Sequence, residues 1–261
     1  MATELFSKKS LKRLIFPLVI EQTLAIAVGM ADTIMVSSVG EAAVSGVSLV
    51  DMINVLLINI FAALATGGAV ITSQYLGAHA PEKARSSANQ LILSSLVISA
   101  AVMIFTYFLR SALLRLIFGS IADDVMQNAL TYFAISSFSY PFIALYNSCA
   151  ALFRSMGNSK ISMVTSLIMN AVNIAGNAIL VFIFHMGVAG VALPSLISRV
   201  LGALMLLVLL HRRKHEVYLT YRSCLLPKWA IIKRILHIGI PNALENSMFQ
   251  LGRILVVSII A

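Results

Sequence analysis

The chain holds 261 residues, 59% of them hydrophobic and only 11% charged, with a mean hydropathy of +0.94. A soluble domain carries about 25% charged residues, so there is too little charge here to cover a folded surface in water; lipid is the solvent for most of the chain, and a soluble enzyme is excluded. The net charge of +9 and pI near 9.8 would suggest nucleic acid in a soluble protein, but the basic residues fall in short runs between apolar stretches, the pattern of membrane orientation, and no nucleic-acid partner is expected.

A membrane span needs roughly 20 apolar residues, and the sequence predicts seven: 14–38, 49–76, 91–109, 130–153, 161–184, 191–210 and 235–261. Breakers separate them at Val39-Gly40, Gly77 to Pro81, Gly119 to Asp124, Gly157-Asn158 and His185 to Gly190. The predicted fold is all-α, a polytopic membrane helix bundle: a six-helix unit over 1–210, a basic connector over 211–234, and a seventh transmembrane helix over 235–261. The start imitates a signal peptide, with Lys8, Lys9, Lys12 and Arg13 before an apolar run. Glu21 interrupts that run and the apolar stretch continues past Ala27, so an uncleaved first helix is expected.

Alternate connections carry the positive charge. The N-terminal tail has its four basic residues, Lys83 and Arg85 follow the second span, and Arg154 and Lys160 follow the fourth. Arg212, Arg213, Lys214, Arg222, Lys228, Lys233 and Arg234 follow the sixth. The other side has only Arg110 and Arg115, offset by Asp123 and Asp124. This predicts a multi-pass protein of the cell membrane with a cytoplasmic N-terminus. Cys149 lies in an apolar stretch and Cys224 in the basic connector, so no disulfide is expected. Within the connector, Pro227 and the residues from Lys228 to Arg234 read either as a short interfacial helix, with Trp229 at headgroup level, or simply as a basic linker.

One internal repeat is present. Pro17-x-x-x-Glu21-Gln22 and Pro241-x-x-x-Glu245-Asn246 each follow a basic segment at the same end of a span. The match suggests that the seventh span opens a second copy of a six-span unit, as in parallel-repeat transporters, and that the sequence is truncated within that copy.

Ionisable groups inside spans are costly and by default mark function; here they are Glu21, Asp32, Asp51, Arg199, Glu245 and Arg253. Asp51, near the outer end of the second span, reads either as simply solvated or as functional, and neither arginine has an evident partner. Asp32 sits about 9 Å inside its span at ~1.5 Å per residue. Glu21, eleven residues earlier, is about 20° away on the same face. In the fifth span Asn170, Asn173 and Asn177 occupy an arc of about 60°, with Asn177 at the depth of Asp32. Ser195 follows Pro194 at a similar level. Such oxygens at one depth beside a Pro-broken helix suit a hard monovalent cation or a proton, with Na⁺ placed at Asp32, Asn173 and Asn177; the alternative is that the amides only join helices by hydrogen bonds.

Pro17, Pro141, Pro194 and Pro241 lie inside spans and are candidate hinges, static kinks being the alternative reading. Ala65-Thr66-Gly67-Gly68-Ala69 reads as a close helix contact, and the twelve methionines as apolar filler. Zinc-protease, paired-cysteine, P-loop and nucleophile-elbow motifs are absent, and the five histidines are scattered over loops and ends. No enzyme activity and no organic cofactor are expected.

Taken together, these residues resemble the N-terminal lobe of the multidrug and toxic compound extrusion family. The resemblance rests on Phe16–Glu21, Ala31 to Val36 with Gly40, Ala65 to Gly67, Gln74 to Ala78, Tyr140-Pro141-Phe142, Arg154 to Lys160, Asn173 to Asn177, and Gly187 to Ser198. It implies twelve spans in two lobes, with the second lobe required for a complete transporter. It also implies export of amphipathic, often cationic organic compounds against a Na⁺ or H⁺ gradient by alternating access. Asp32 falls on the family's first-helix acid, implicated in cation coupling, Asn173 on its fifth-helix Asn, and Asn177 where members carry Asp or Asn. Ser195 falls where a hydroxyl joins the cation site in some members. Asn147 matches a cavity Asn of the fourth helix and Glu245 the acid of the seventh, with Glu21, Gln22 and Asn170 as further cavity candidates. The nearest rival function is a lipid-linked oligosaccharide flippase of the same superfamily, which should line its cavity with cations where this sequence offers acids. An intramembrane enzyme, the other rival, would need a nucleophile–base pair or paired acids at one depth.

Overall fold

The computed structural model describes residues 8–119, 121–212, 216–219 and 227–260. Cys224, His215 and several connector residues lie outside it, as does the side chain of Arg253. The described residues form eight α-helices: α1 (Lys8–Ser37), α2 (Glu41–Gly77), α3 (Pro81–Phe118), α4 (Asp123–Phe138), α5 (Tyr140–Ser155), α6 (Ser159–Ala178), α7 (Ala189–His211) and α8 (Trp229–Ile260). A π-helical turn, Ile179–Ile183, extends α6.

Five helical segments are long and apolar enough to cross a bilayer, and a sixth crossing forms when α4 and α5, bent by 46° at Ser139, count as one. The predicted span 130–153 is therefore a broken helix. The break falls where Pro141 enters the first turn of α5, a position whose missing N–H costs no helical hydrogen bond. Helix α8 covers the seventh predicted stretch. It also absorbs the expected interfacial helix: Pro227 and Lys228 precede its first turn, and Trp229 opens a continuous helix.

Helix α2 is the hub, packing against α1, α3, α4, α5 and α8. Helix α5 is buried along most of its length, from Tyr140 to Phe153. The Gly67 segment is a close contact, as its small residues predict. A methyl group on Gly67 would stand 2.6 Å from the carbonyl oxygen of Ile235, so only glycine lets α8 approach α2 so nearly. The outer surface is apolar, with Ile26, Met30 and Ile34 of α1 and Val97, Phe105 and Phe108 of α3 all exposed. Water would make this surface unfavourable; a bilayer or a packed neighbour does not.

Candidate functional site

Helix α1 presents one face to α6, and the two acids of that face are met by polar groups of α6 at two levels. At the deeper level Asn177 donates through Nδ2 to Asp32 Oδ1 and to Asn173 Oδ1 at 3.3 Å. Asn173 in turn donates to Ser195 Oγ of α7 at 2.9 Å, and Ser195 donates to the carbonyl of Val191 at 3.1 Å. A single chain of hydrogen bonds thus joins α1, α6 and α7, and it contains all four residues predicted for the cation site. Asn177 is 0% exposed and its Oδ1 has no partner. A buried carbonyl oxygen left unpaired costs about 1–3 kcal/mol, unless something occupies its lone pairs.

The chain depends on close packing of α6 against α7. A methyl group on Gly176 would lie 2.7 Å from Pro194 Cβ, well inside contact distance, so glycine beside Asn177 is what brings Asn173 within reach of Ser195.

At the second level Glu21 accepts from Tyr146 Oη of α5 at 3.1 Å and from Ser162 Oγ of α6 at 3.3 Å. The Arg154 guanidinium approaches it at 3.7 Å. Glu21 is thereby tied to α5 and α6. The remaining cavity candidates do not converge on it. Gln22 and Glu245 are exposed on their helices. Asn147 and Asn170 are half-buried, each with a buried amide nitrogen lacking a partner. Of the proline candidates, Pro17, Pro194 and Pro241 lie inside continuous helices, while Pro141 marks the α4–α5 bend.

Asp51 is not the solvated end-of-span acid that its position suggests. It accepts from Tyr132 Oη at 3.0 Å and from Asn54 Nδ2 at 3.1 Å. Asn54 Oδ1 accepts from Tyr140 Oη at 2.7 Å. Asp51 and Tyr132 line a small cavity of about 30 Å³ whose wall also includes Asp32, Ser48 and Val191. Arg199, for which the sequence offered no partner, donates to Ser139 Oγ at 2.6 Å, at the bend itself. The usable sequence signal was the i, i+3 pairing of Asp51 with Asn54 on one helix face; nothing local to α4 or α5 pointed at Tyr132 or Tyr140.

Among the described residues no group of three or more His, Cys, Asp or Glu is placed to hold a metal ion. The polar centre offers instead a carboxylate, carboxamide oxygens and a hydroxyl, all hard oxygen donors.

Six apolar crossings packed around a polar, buried centre define a polytopic α-helical membrane protein. The MatE family model matches residues 17–179, and the chain belongs to the MatE family of membrane transporters. By sequence it is similar to the uncharacterized transporter YisQ of Bacillus subtilis, 31% identical over 256 residues, 97% of this chain and 56% of that protein. It is also similar to the probable multidrug resistance protein NorM of Thermotoga maritima, 26% identical over 260 residues, 97% of this chain and 54% of that protein. Its fold matches a MOP superfamily transporter from Pyrococcus furiosus with a TM-score of 0.85 at 25% identity, covering 92% of this chain and 52% of that one. The chain spans about half the length of the relatives it matches.

Proposed function

We propose that this chain is the cation-coupling lobe of an antiporter in the cell membrane that exports amphipathic, often cationic organic compounds by alternating access, driven by Na⁺ or H⁺. The observation that carries this reading is the Asp32–Asn177–Asn173–Ser195 chain with its unpartnered Asn177 oxygen. It joins a charge-bearing group on α1 to two other helices, so binding a cation there changes contacts among all three. The relatives' names, a probable multidrug resistance protein and multidrug export proteins among them, support export as the direction and drug-like compounds as the cargo.

The coupling follows from elementary electrostatics. With its charge unneutralised, Asp32 in a low-dielectric setting draws donors toward it, and Asn177 supplies one. A proton or Na⁺ on Asp32 cancels that charge and weakens the pull on α6. Pro17 on α1 and Pro194 on α7 leave backbone carbonyls without their usual partners, so these helices bend at small cost when the pull changes. In this reading a second lobe supplies the opposite wall of the cargo cavity, and the charge of the basic loops supports a cytoplasmic N-terminus. The acids of the site disfavour a diphosphate-carrying lipid as cargo, since like charges repel.

The test is gradient-driven efflux of a cationic dye from vesicles by a two-lobe transporter carrying this chain as its first lobe. Asp32→Asn, at matched expression, is expected to keep the protein inserted and to abolish ion-driven efflux. Efflux at the wild-type rate would refute the reading.

A further inference from the structure

Asp32 and Asp51 line the same cavity of about 30 Å³, room for a water or one partly dehydrated monovalent ion. Two carboxylates sharing so small a space in a low-dielectric core repel each other unless a positive charge or a shared proton lies between them. The groups around Asp51 are known on every side. Asn54 on its own helix and Tyr132 of α4 donate to it. Tyr140 of α5 reaches it through Asn54, Asp32 of α1 lies across the cavity, and Arg199 of α7 lies within electrostatic reach while donating to Ser139. Asp32 also accepts from Nδ2 of Asn177, whose own Oδ1 is buried and unpartnered.

We propose that Asp51 is a second working acid of the coupling site, holding one positive charge (Na⁺ or a proton) jointly with Asp32 and relaying its presence to the α4–α5 bend. The relay is visible in the hydrogen bonds. Tyr132 lies on the α4 side of the bend and Tyr140 on the α5 side, and both are tied to the same pair, Asp51 and Asn54. When the shared charge leaves, Asp51 is left with only its two donors and the more distant Arg199 to offset its charge. Its hold on Tyr132 and Asn54 tightens, and the two halves of the broken helix are drawn to α2 together. When the charge returns, the hold relaxes. This rests on the coupling role given to Asp32 above, and adds to it a residue of α2 and a route to a hinge.

The test uses the purified 261-residue chain in lipid nanodiscs. The readouts are binding of radiolabelled Na⁺, protons released per Na⁺ bound across pH, and proton uptake after an acid step. Na⁺ binding by the wild type identifies the ion as Na⁺; Asp32-dependent proton uptake without Na⁺ binding identifies it as the proton. Asp32→Asn is expected to abolish whichever is seen. Asp51→Asn is expected to weaken it about tenfold or more, since one of two nearby charges is lost, and to lower the proton count. Asp51→Glu, which keeps the charge, is expected to stay within about threefold. If Asp32→Asn abolishes binding while Asp51→Asn leaves affinity and proton count unchanged, Asp51 is only an acceptor for Tyr132 and Asn54; the proposal is then overturned and the Asp32 reading stands. If neither substitution matters, both readings fall. Should Asp51→Asn not fold, Tyr132→Phe decides: it keeps both carboxylates but removes a donor from Asp51. The pH profile of ligand binding must then move, and an unmoved profile overturns the proposal.

Discussion

Replacing Gly176 with alanine tests how the fold builds the polar centre. The added methyl would stand 2.7 Å from Pro194 Cβ and 3.1 Å from its Cγ, whereas carbon atoms pack at about 3.5–4.0 Å. The proline ring cannot turn aside, so α6 and α7 must separate by about 1 Å. The Asn173–Ser195 bond, now 2.9 Å, would then lie beyond hydrogen-bonding range. Overpacking of this kind costs about 1–3 kcal/mol, and an interhelical side-chain bond in a membrane contributes about 0.6–1.7 kcal/mol. Gly176→Ala should therefore lose about 2–4 kcal/mol in reversible unfolding from mixed micelles. Gly29→Ala is the control, because a methyl there meets nothing within 4 Å. That substitution should be neutral or stabilise by up to about 1 kcal/mol through helix propensity. Gly176→Ala within about 0.5 kcal/mol of wild type would refute the reasoning that α6–α7 contact is limited at this residue.

Tyr140→Phe leaves Asn54 Oδ1 without its donor in a buried position, and should lower unfolding stability by about 1–3 kcal/mol in the same assay. Arg154→Gln removes a partly exposed guanidinium 3.7 Å from Glu21, and should cost under about 1 kcal/mol because Tyr146 and Ser162 still hold the carboxylate. In a chain freed of Cys149 and Cys224, a cysteine at Lys160 should react with an impermeant maleimide only after the cells are opened, and one at Asp123 in intact cells; the reverse pattern would overturn the orientation read from the loop charges.

The apolar stretches and their breakers made the crossings legible, and the 3.6-residue period placed Glu21 and Asp32 on one face, where both now meet α6. The same period grouped Asn173 with Asn177, and depth counting added Ser195; these are short-range regularities that one helix carries by itself. Apart from Asn54, the partners of Asp51, Glu21 and Arg199 were not legible, because they lie far off in sequence: Tyr132 is 81 residues from Asp51, and Tyr146 is 125 from Glu21. Asp51 reads as a terminal, solvated acid only while its span is imagined alone. Once α4 crosses α2, its tyrosine closes over the carboxylate. The kink at Ser139 was hinted at by Pro141, but a proline in a helix's first turn and one in its middle look alike in sequence.

The central claim, that Asp32 couples cation movement to export, is tested most directly by substrate-evoked ion flux. Vesicles carrying the two-lobe transporter are loaded with a fluorescent reporter of Na⁺ or of pH, and a cationic substrate is added on the side it leaves from. The account predicts an opposing cation flux in the wild type that Asp32→Asn eliminates and Asn177→Ala only reduces, because that change removes a neutral ligand and not the charge. A substrate-evoked flux of wild-type size in Asp32→Asn would contradict it.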